Sequence, residues 1–209
     1  FDHCENDHES FKWYTRVNCL RGNSNSKLVY IFGDSYGDHI VPVASKAFLD
    51  SDLYLARLDS CYIIKSVKCD RNRKNQIFSQ YLKISKKYDK KIVIISLYGN
   101  DYSQKNISQI LDRLDALNTL VVVVYPHPSV NVYKNEKKID KYYLTKKNDI
   151  KILKNFNNLI LLDTFKNICL DCDPDKYAQV FFDGHHLTLN GSLSLIELFE
   201  KVNFLNKDL

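Results

Sequence analysis

The sequence predicts an α/β fold, a three-layer α/β/α sandwich around a parallel central sheet, and three observations carry that prediction. Short apolar runs rich in Val, Ile and Leu recur without polar alternation, as strands buried on both faces require. Longer stretches with helical spacing separate those runs, and the alternation of strand and helix continues along the chain. A length of 209 residues, with 44% hydrophobic and 26% charged, suits one ordered domain with a substantial core.

In chain order, residues 1–27 read as a polar, irregular N-terminal extension that closes in the loop-like run Arg21-Gly22-Asn23-Ser24-Asn25-Ser26. Residues 28–209 form the domain proper. Its strands are expected at Leu28–Phe32, Leu53–Leu58, Ile92–Leu97, Leu120–Tyr125 and Leu159–Leu162. Helices are expected at Asp38–Leu49, Arg73–Tyr88, Gln104–Leu117, Asp140–Phe156 and Asn190–Phe204. Ligands of such sheets bind beyond the carboxyl ends of the strands. Ser35 and Asn100 each follow such an end, which makes them expected neighbours in space.

Charge excludes little but directs attention. The 30 Lys and Arg exceed the 25 Asp and Glu by five, and the paired lysines fall in polar stretches between apolar runs. They read as solvated surface, with no nucleic-acid partner expected. No apolar run approaches the roughly 20 residues of a membrane span. The chain begins at Phe1 and holds no Met, so a processed product or an excised domain is expected.

Six cysteines fall as three close pairs, Cys4 with Cys19, Cys61 with Cys69, and Cys169 with Cys172, which suggests disulfides and an oxidising compartment. The spacing of Cys169 and Cys172 also suits half of a zinc site, but the chain offers no second close pair to complete it. No metal is expected. His3 and His8 lie in the polar terminal segment, and His127 sits between Pro126 and Pro128 in what reads as a rigid turn.

The chemistry lies at the two ends of the domain. Val29-Tyr30-Ile31-Phe32-Gly33-Asp34-Ser35 is an apolar strand that stops abruptly at a small residue, an acid and a hydroxyl. Asp183-Gly184-His185-His186 supplies a carboxylate and an imidazole just before the last helical stretch. A serine hydroxyl is a poor nucleophile until a base takes its proton, and that base works best when a carboxylate fixes its tautomer. Ser35, His186 and Asp183 can fill those roles, with His185 the rival base. Gly184 is expected to leave room for the turn. Asp34 is expected to stabilise the elbow by hydrogen bonding.

These blocks, Gly33-Asp34-Ser35 after a strand, Asn100 after a later one and Asp183-x-x-His186 before the last helix, resemble the SGNH (GDSL-type) hydrolase and acyltransferase superfamily. The resemblance implies a flavodoxin-like sheet, Ser35 as nucleophile, His186 as base and Asp183 as its orienter, with no cofactor. It also implies an oxyanion hole from the Ser35 amide, a residue after the second strand and Asn100. Here Tyr98 stands where the family has glycine. Ser60 occupies the second position, which has lost its glycine, and an ordinary loop role for Ser60 stays open.

A narrower resemblance rests on Asp59-Ser60-Cys61, Cys69-Asp70-Arg71-Asn72, and Cys169 and Cys172 shortly before Phe182-Asp183-Gly184-His185-His186-Leu187-Thr188. These look like SGNH domains fused behind bacterial acyltransferase-3 membrane domains. What this implies is an O-acetyltransferase of surface polysaccharide such as lipopolysaccharide, working through an acyl-serine. Its acyl donor would come from a membrane domain N-terminal to Phe1, and its site would be periplasmic. Two alternatives remain open: an extracytoplasmic carbohydrate acetylesterase with the same residues, and a glycan-binding module whose ancestral site has decayed.

Overall fold

The unalternating apolar runs become strands, and the helically spaced stretches pack on both sides of them. A computed structural model describes residues 16–22, 26–57, 71–97, 111–125, 136–153, 156–168 and 174–205. Its strands are β1 (Arg16–Arg21), β2 (Lys27–Gly33), β3 (Asp52–Arg57), β4 (Lys90–Ser96), β5 (Leu120–Tyr125) and β6 (Leu159–Asp163). Its helices are α1 (Ser35–Ala47), α2 (Arg71–Ser85), α3 (Glu136–Leu153), α4 (Phe165–Ile168), α5 (Pro174–Val180), α6 (Leu189–Leu193) and α7 (Ile196–Leu205), and residues 111–115 are also helical.

The six strands form one open sheet in the order β1-β3-β2-β4-β5-β6. Strands β2 to β6 run parallel, and β1 lies antiparallel on the β3 edge. The predicted α/β sandwich is therefore the observed one. Every residue of β2 and β5 is buried, which explains why these strands show no polar alternation.

Opposite faces of β2 meet different helices. The Tyr30 and Phe32 rings lie 5.3 Å and 6.1 Å from the ring of Tyr81 on α2, in tilted or edge-on contact. Ile31 lies on the other face, beside Gly37 of α1. Helix α1 in turn packs against α6 and α7. Two buried hydroxyls nearby are partnered across elements: Tyr81 with Thr119 at 2.7 Å, and Tyr88 donating to Asp52 at 2.6 Å.

Two expectations change. Residues 16–21, read as irregular, form β1. The strand escaped notice because it is a short edge strand of polar character, paired on one side only, with a register shift between Cys19 and Arg21. The single helix expected over Asn190–Phe204 is two helices, α6 and α7. Between them the Ser194 hydroxyl donates to the Gly191 carbonyl at 2.7 Å, and the Leu195 amide reaches back only three residues to Ser192. Serine competing for the local carbonyls interrupts the helical ladder there.

Cys19, on β1, has no free thiol. Cys4, Cys61, Cys69, Cys169 and Cys172 lie outside the described residues. Among the described residues, no helix is long and apolar enough to cross a membrane.

Candidate active site

Strand order creates the place for a site. The chain passes from β2 to β3 on one side and from β4 to β5 on the other, so the connections diverge between the neighbours β2 and β4 and open a crevice at their carboxyl ends. Gly33, the last residue of β2, is registered against Ser96, the last of β4. A Cβ at Gly33 would come within 2.4 Å of the Gly37 Cα and 2.7 Å of the Ser96 carbonyl oxygen, so only glycine allows this close approach of strand, helix and neighbouring strand.

The chain then turns sharply into α1. Asp34 is its N-cap: the carboxylate accepts from the Tyr36 amide at 2.9 Å, as a capping carboxylate at a helix start should. The Asp34 carbonyl accepts from Gly37 at 2.9 Å, and the Ser96 hydroxyl donates to the Tyr36 carbonyl at 3.0 Å. Ser35 is thereby held as the first residue of α1, at the positive end of the helix dipole.

The partners of Ser35 come from a small hairpin. The Phe181–Leu187 bridge is flanked by the Thr188 amide donating to Val180 at 2.9 Å and the Phe182 amide donating to His186 at 2.7 Å. Residues 183–185 are the loop of this hairpin. Within it the Asp183 Oδ1 accepts from the backbone amides of His185 and His186 at 2.9 Å and 2.8 Å. Gly184 is not needed for space, because a Cβ there would meet nothing within 4 Å. The close approach is instead at Gly191, where a Cβ would sit 2.2 Å from the Val180 carbonyl oxygen.

The loop brings three side chains into line. His186 Nδ1 lies 2.6 Å from Asp183 Oδ2, and His186 Nε2 lies 3.2 Å from Ser35 Oγ. An ionised carboxylate can only accept, so Nδ1 carries the proton and Nε2 offers its lone pair to the serine O–H. The His186 Nδ1–H bond, followed by the two backbone donors, holds the Asp183 carboxyl well below the usual carboxylate range. His185, the rival base, places its Nδ1 3.7 Å from Asp183 Oδ1 instead.

His39 also belongs to this cluster. It lies one helical turn after Ser35 on α1, and its ring meets that of His186 edge-on at 5.1 Å. Burial first, then the charge that His186 can carry, pull His39 down to about 4, with Asp183 opposing. It is neutral at pH 7. The i, i+4 spacing from Ser35 could have revealed it in the sequence. Ser96 was legible only as the end of a strand.

Asp183, His185 and His186 also offer ligand atoms within 4.8 Å of one another. Ser60 and Asn100, expected around the oxyanion, lie outside the described residues. The strands they follow, β3 and β4, are the two neighbours of β2. His3, His8 and His127 also lie outside the described residues.

The fold is shared with solved structures. A GDSL-like lipase from Parabacteroides merdae superposes with a TM-score of 0.60 at 14% identity, covering 90% of this chain and 100% of that one. LAE5, an α/β-hydrolase enzyme from a Lake Arreo metagenome, gives 0.60 at 13%, covering 88% and 97%. A catalytic mutant of an acetylxylan esterase from Geobacillus stearothermophilus gives 0.51 at 13%, covering 87% and 95%. No curated protein matches the sequence. A family model described as "SGNH domain (fused to AT3 domains)" matches residues 3–201. The chain belongs to this SGNH family, and with it to the SGNH/GDSL hydrolase superfamily.

Proposed function

We propose that this domain is a serine-dependent esterase that removes O-acyl groups, chiefly acetyl, from carbohydrate. The observation that carries the reading is the continuous relay from Asp183 through His186 to Ser35 at the carboxyl end of β2. His186 Nε2 takes the Ser35 proton as Oγ attacks the ester carbonyl. The C–O bond of the ester breaks, the sugar oxygen leaves with the proton from His186, and an acyl-serine remains. Water, deprotonated by the same Nε2, releases the acid and restores Ser35. The oxyanion donors would be the Ser35 amide, Ser60 and Asn100. The steps need no cofactor.

Hydrolysis is supported by the exposure of the relay: the side chains of Asp183 and His186 are 42% and 31% exposed, so water reaches them. The acetylxylan esterase that shares the fold is a compatible neighbour. A second reading is favoured by one specific fact, that the family is described as fused to AT3 domains. In that reading the acyl-serine passes its acetyl group to a hydroxyl of a cell-surface polysaccharide, with a membrane acyltransferase domain of the same full-length chain as donor. The same fusion supports an extracytoplasmic, periplasmic site, where pairings of Cys4 with Cys19, Cys61 with Cys69 and Cys169 with Cys172 would persist. An intact relay argues against a module that only binds glycan.

Turnover of 4-nitrophenyl acetate with and without an oligosaccharide acceptor tests both readings. Ser35→Ala is expected to lower kcat by at least about 10⁴-fold. Equal turnover by both proteins sinks the serine mechanism. Acetylated oligosaccharide among the products favours transfer, and free acetate alone favours hydrolysis.

A further inference from the structure

We infer that Phe182 is a sugar-stacking platform beside the candidate nucleophile, which rests on the carbohydrate-ester reading above and names where the pyranose ring lies. Phe182 is 83% exposed, the most exposed large aromatic among the described residues. A phenyl ring left in water forfeits the transfer free energy that burial would give, and beside a candidate nucleophile it invites a use.

The hairpin register supplies one. Phe181 opposes Leu187, and the Phe182 amide donates to the His186 carbonyl at 2.7 Å, so Phe182 opposes His186 across the ladder. Directly opposed residues of an antiparallel pair project from the same face, with Cβ atoms roughly 5 Å apart. Phe181 and Leu187 are 4% and 8% exposed and occupy the core face. Phe182 therefore shares the outer face with His186, whose Nε2 is 3.2 Å from Ser35 Oγ.

The platform is also held still. Its own amide is bonded to His186, and the preceding Phe181 amide donates to Tyr177 at 2.7 Å. Phenylalanine has only two side-chain torsions to order, so a fixed backbone makes its ring a low-entropy contact. The face of the ring is negative. The axial C–H groups on one side of a pyranose carry partial positive charge and little hydration, and they complement it by dispersion and electrostatics. A sugar seated there would lie on the face of the hairpin from which His186 meets Ser35.

The test uses Ser35→Ala protein, which needs no turnover, and a panel of O-acetylated xylo-, gluco- and rhamno-oligosaccharides. Adding Phe182→Ala is expected to weaken binding of the recognised probe about tenfold, the size of one ring-face contact, whereas Phe182→Trp retains it. With Ser35 restored, Phe182→Ala is expected to raise KM for that acetylated oligosaccharide about tenfold with little change in kcat, lowering its kcat/KM relative to vinyl acetate, which carries no ring. Equal binding of every probe with and without the Phe182→Ala change, or binding of none, overturns the platform. Loss of esterase activity in the presence of Phe182-dependent binding would overturn the reaction while leaving the platform standing.

Discussion

At the scale of single residues, the site depends on which proton sits where. Asp183 is an acceptor for three donors at once, and its carboxylate keeps the His186 proton on Nδ1. Asp183→Asn would present an N–H to Nδ1 and drive the proton to Nε2, facing Ser35. A loss of about 10⁴-fold in kcat with the fold retained is expected, read by steady-state kinetics beside circular dichroism. His39 makes a separate prediction about pH. Its ordinary value is 6.5 and burial lowers it to about 4, so between those values the unfolded chain takes up a proton that the native state refuses. The stability from neutral His39 is fully present above about 6.5 and is lost as pH falls toward 4. Asp183 acts in a lower window, since its depressed carboxyl gives up stability only as pH falls through 3.8 and below. Melting temperatures measured from pH 7.5 to pH 4 should decline, and His39→Phe should flatten that decline. An equal slope in both proteins would show that His39 does not sense the pH.

At the scale of elements, legibility followed burial. β4 and β5 could be read because parallel strands covered on both faces must be apolar throughout, and their sequences Ile92–Ile95 and Val121–Val124 leave no other reading. β1 could not, because a polar edge strand has no periodic signature. The break between α6 and α7 was hidden because Leu195 and Phe199, both fully buried, keep helical spacing across it. Ser35, Asp183 and His186 were legible from their residue types and setting, but the glycine that packs against the hairpin was not. Gly184 was expected to leave room for the turn, whereas Gly191 is the residue pressed against Val180. Gly191→Ala should destabilise the protein by about 1–3 kcal/mol through overpacking against backbone, and should loosen the hairpin that carries Asp183. Gly184→Ala should stay within about 0.5 kcal/mol of the parent. Urea unfolding of the two variants checks the contrast, and a reversed order would refute this packing.

At the scale of the whole molecule, α1 separates reactivity from stability. Its amino end carries Ser35, and its 13 residues span about 20 Å to a carboxyl end where carbonyls lack helical partners. Side chains of β1 and α7 converge on this end. Arg21 of β1 donates Nη1 to Ser45 at 2.7 Å, Nη2 to Phe48 and Nε to Ser51 at 3.2 Å, with Asp50 and Asp52 as nearby counter-charges. Asn203 of α7 donates to the Ala47 carbonyl at 2.8 Å and accepts from Lys27 of β2. Positive charge at a helix carboxyl end is also favourable with respect to the helix dipole. This cluster explains why a polar strand such as β1 joins the sheet: its last residue locks the strand to α1. Arg21→Ala removes three charge-assisted bonds, and after water replaces part of them a loss of about 2–4 kcal/mol is expected. For a chain of this size that lowers Tm by roughly 5–15 °C. Ser35 and its proposed partners lie at the far end of the helix, so kcat on a small acetate at 15 °C should change by less than about twofold, because independent sites add. Thermal melts and steady-state rates on the same preparation decide it. A Tm equal to the parent's would show the cluster to be dispensable, and a parallel loss of kcat at 15 °C would show that the two ends of α1 are coupled after all.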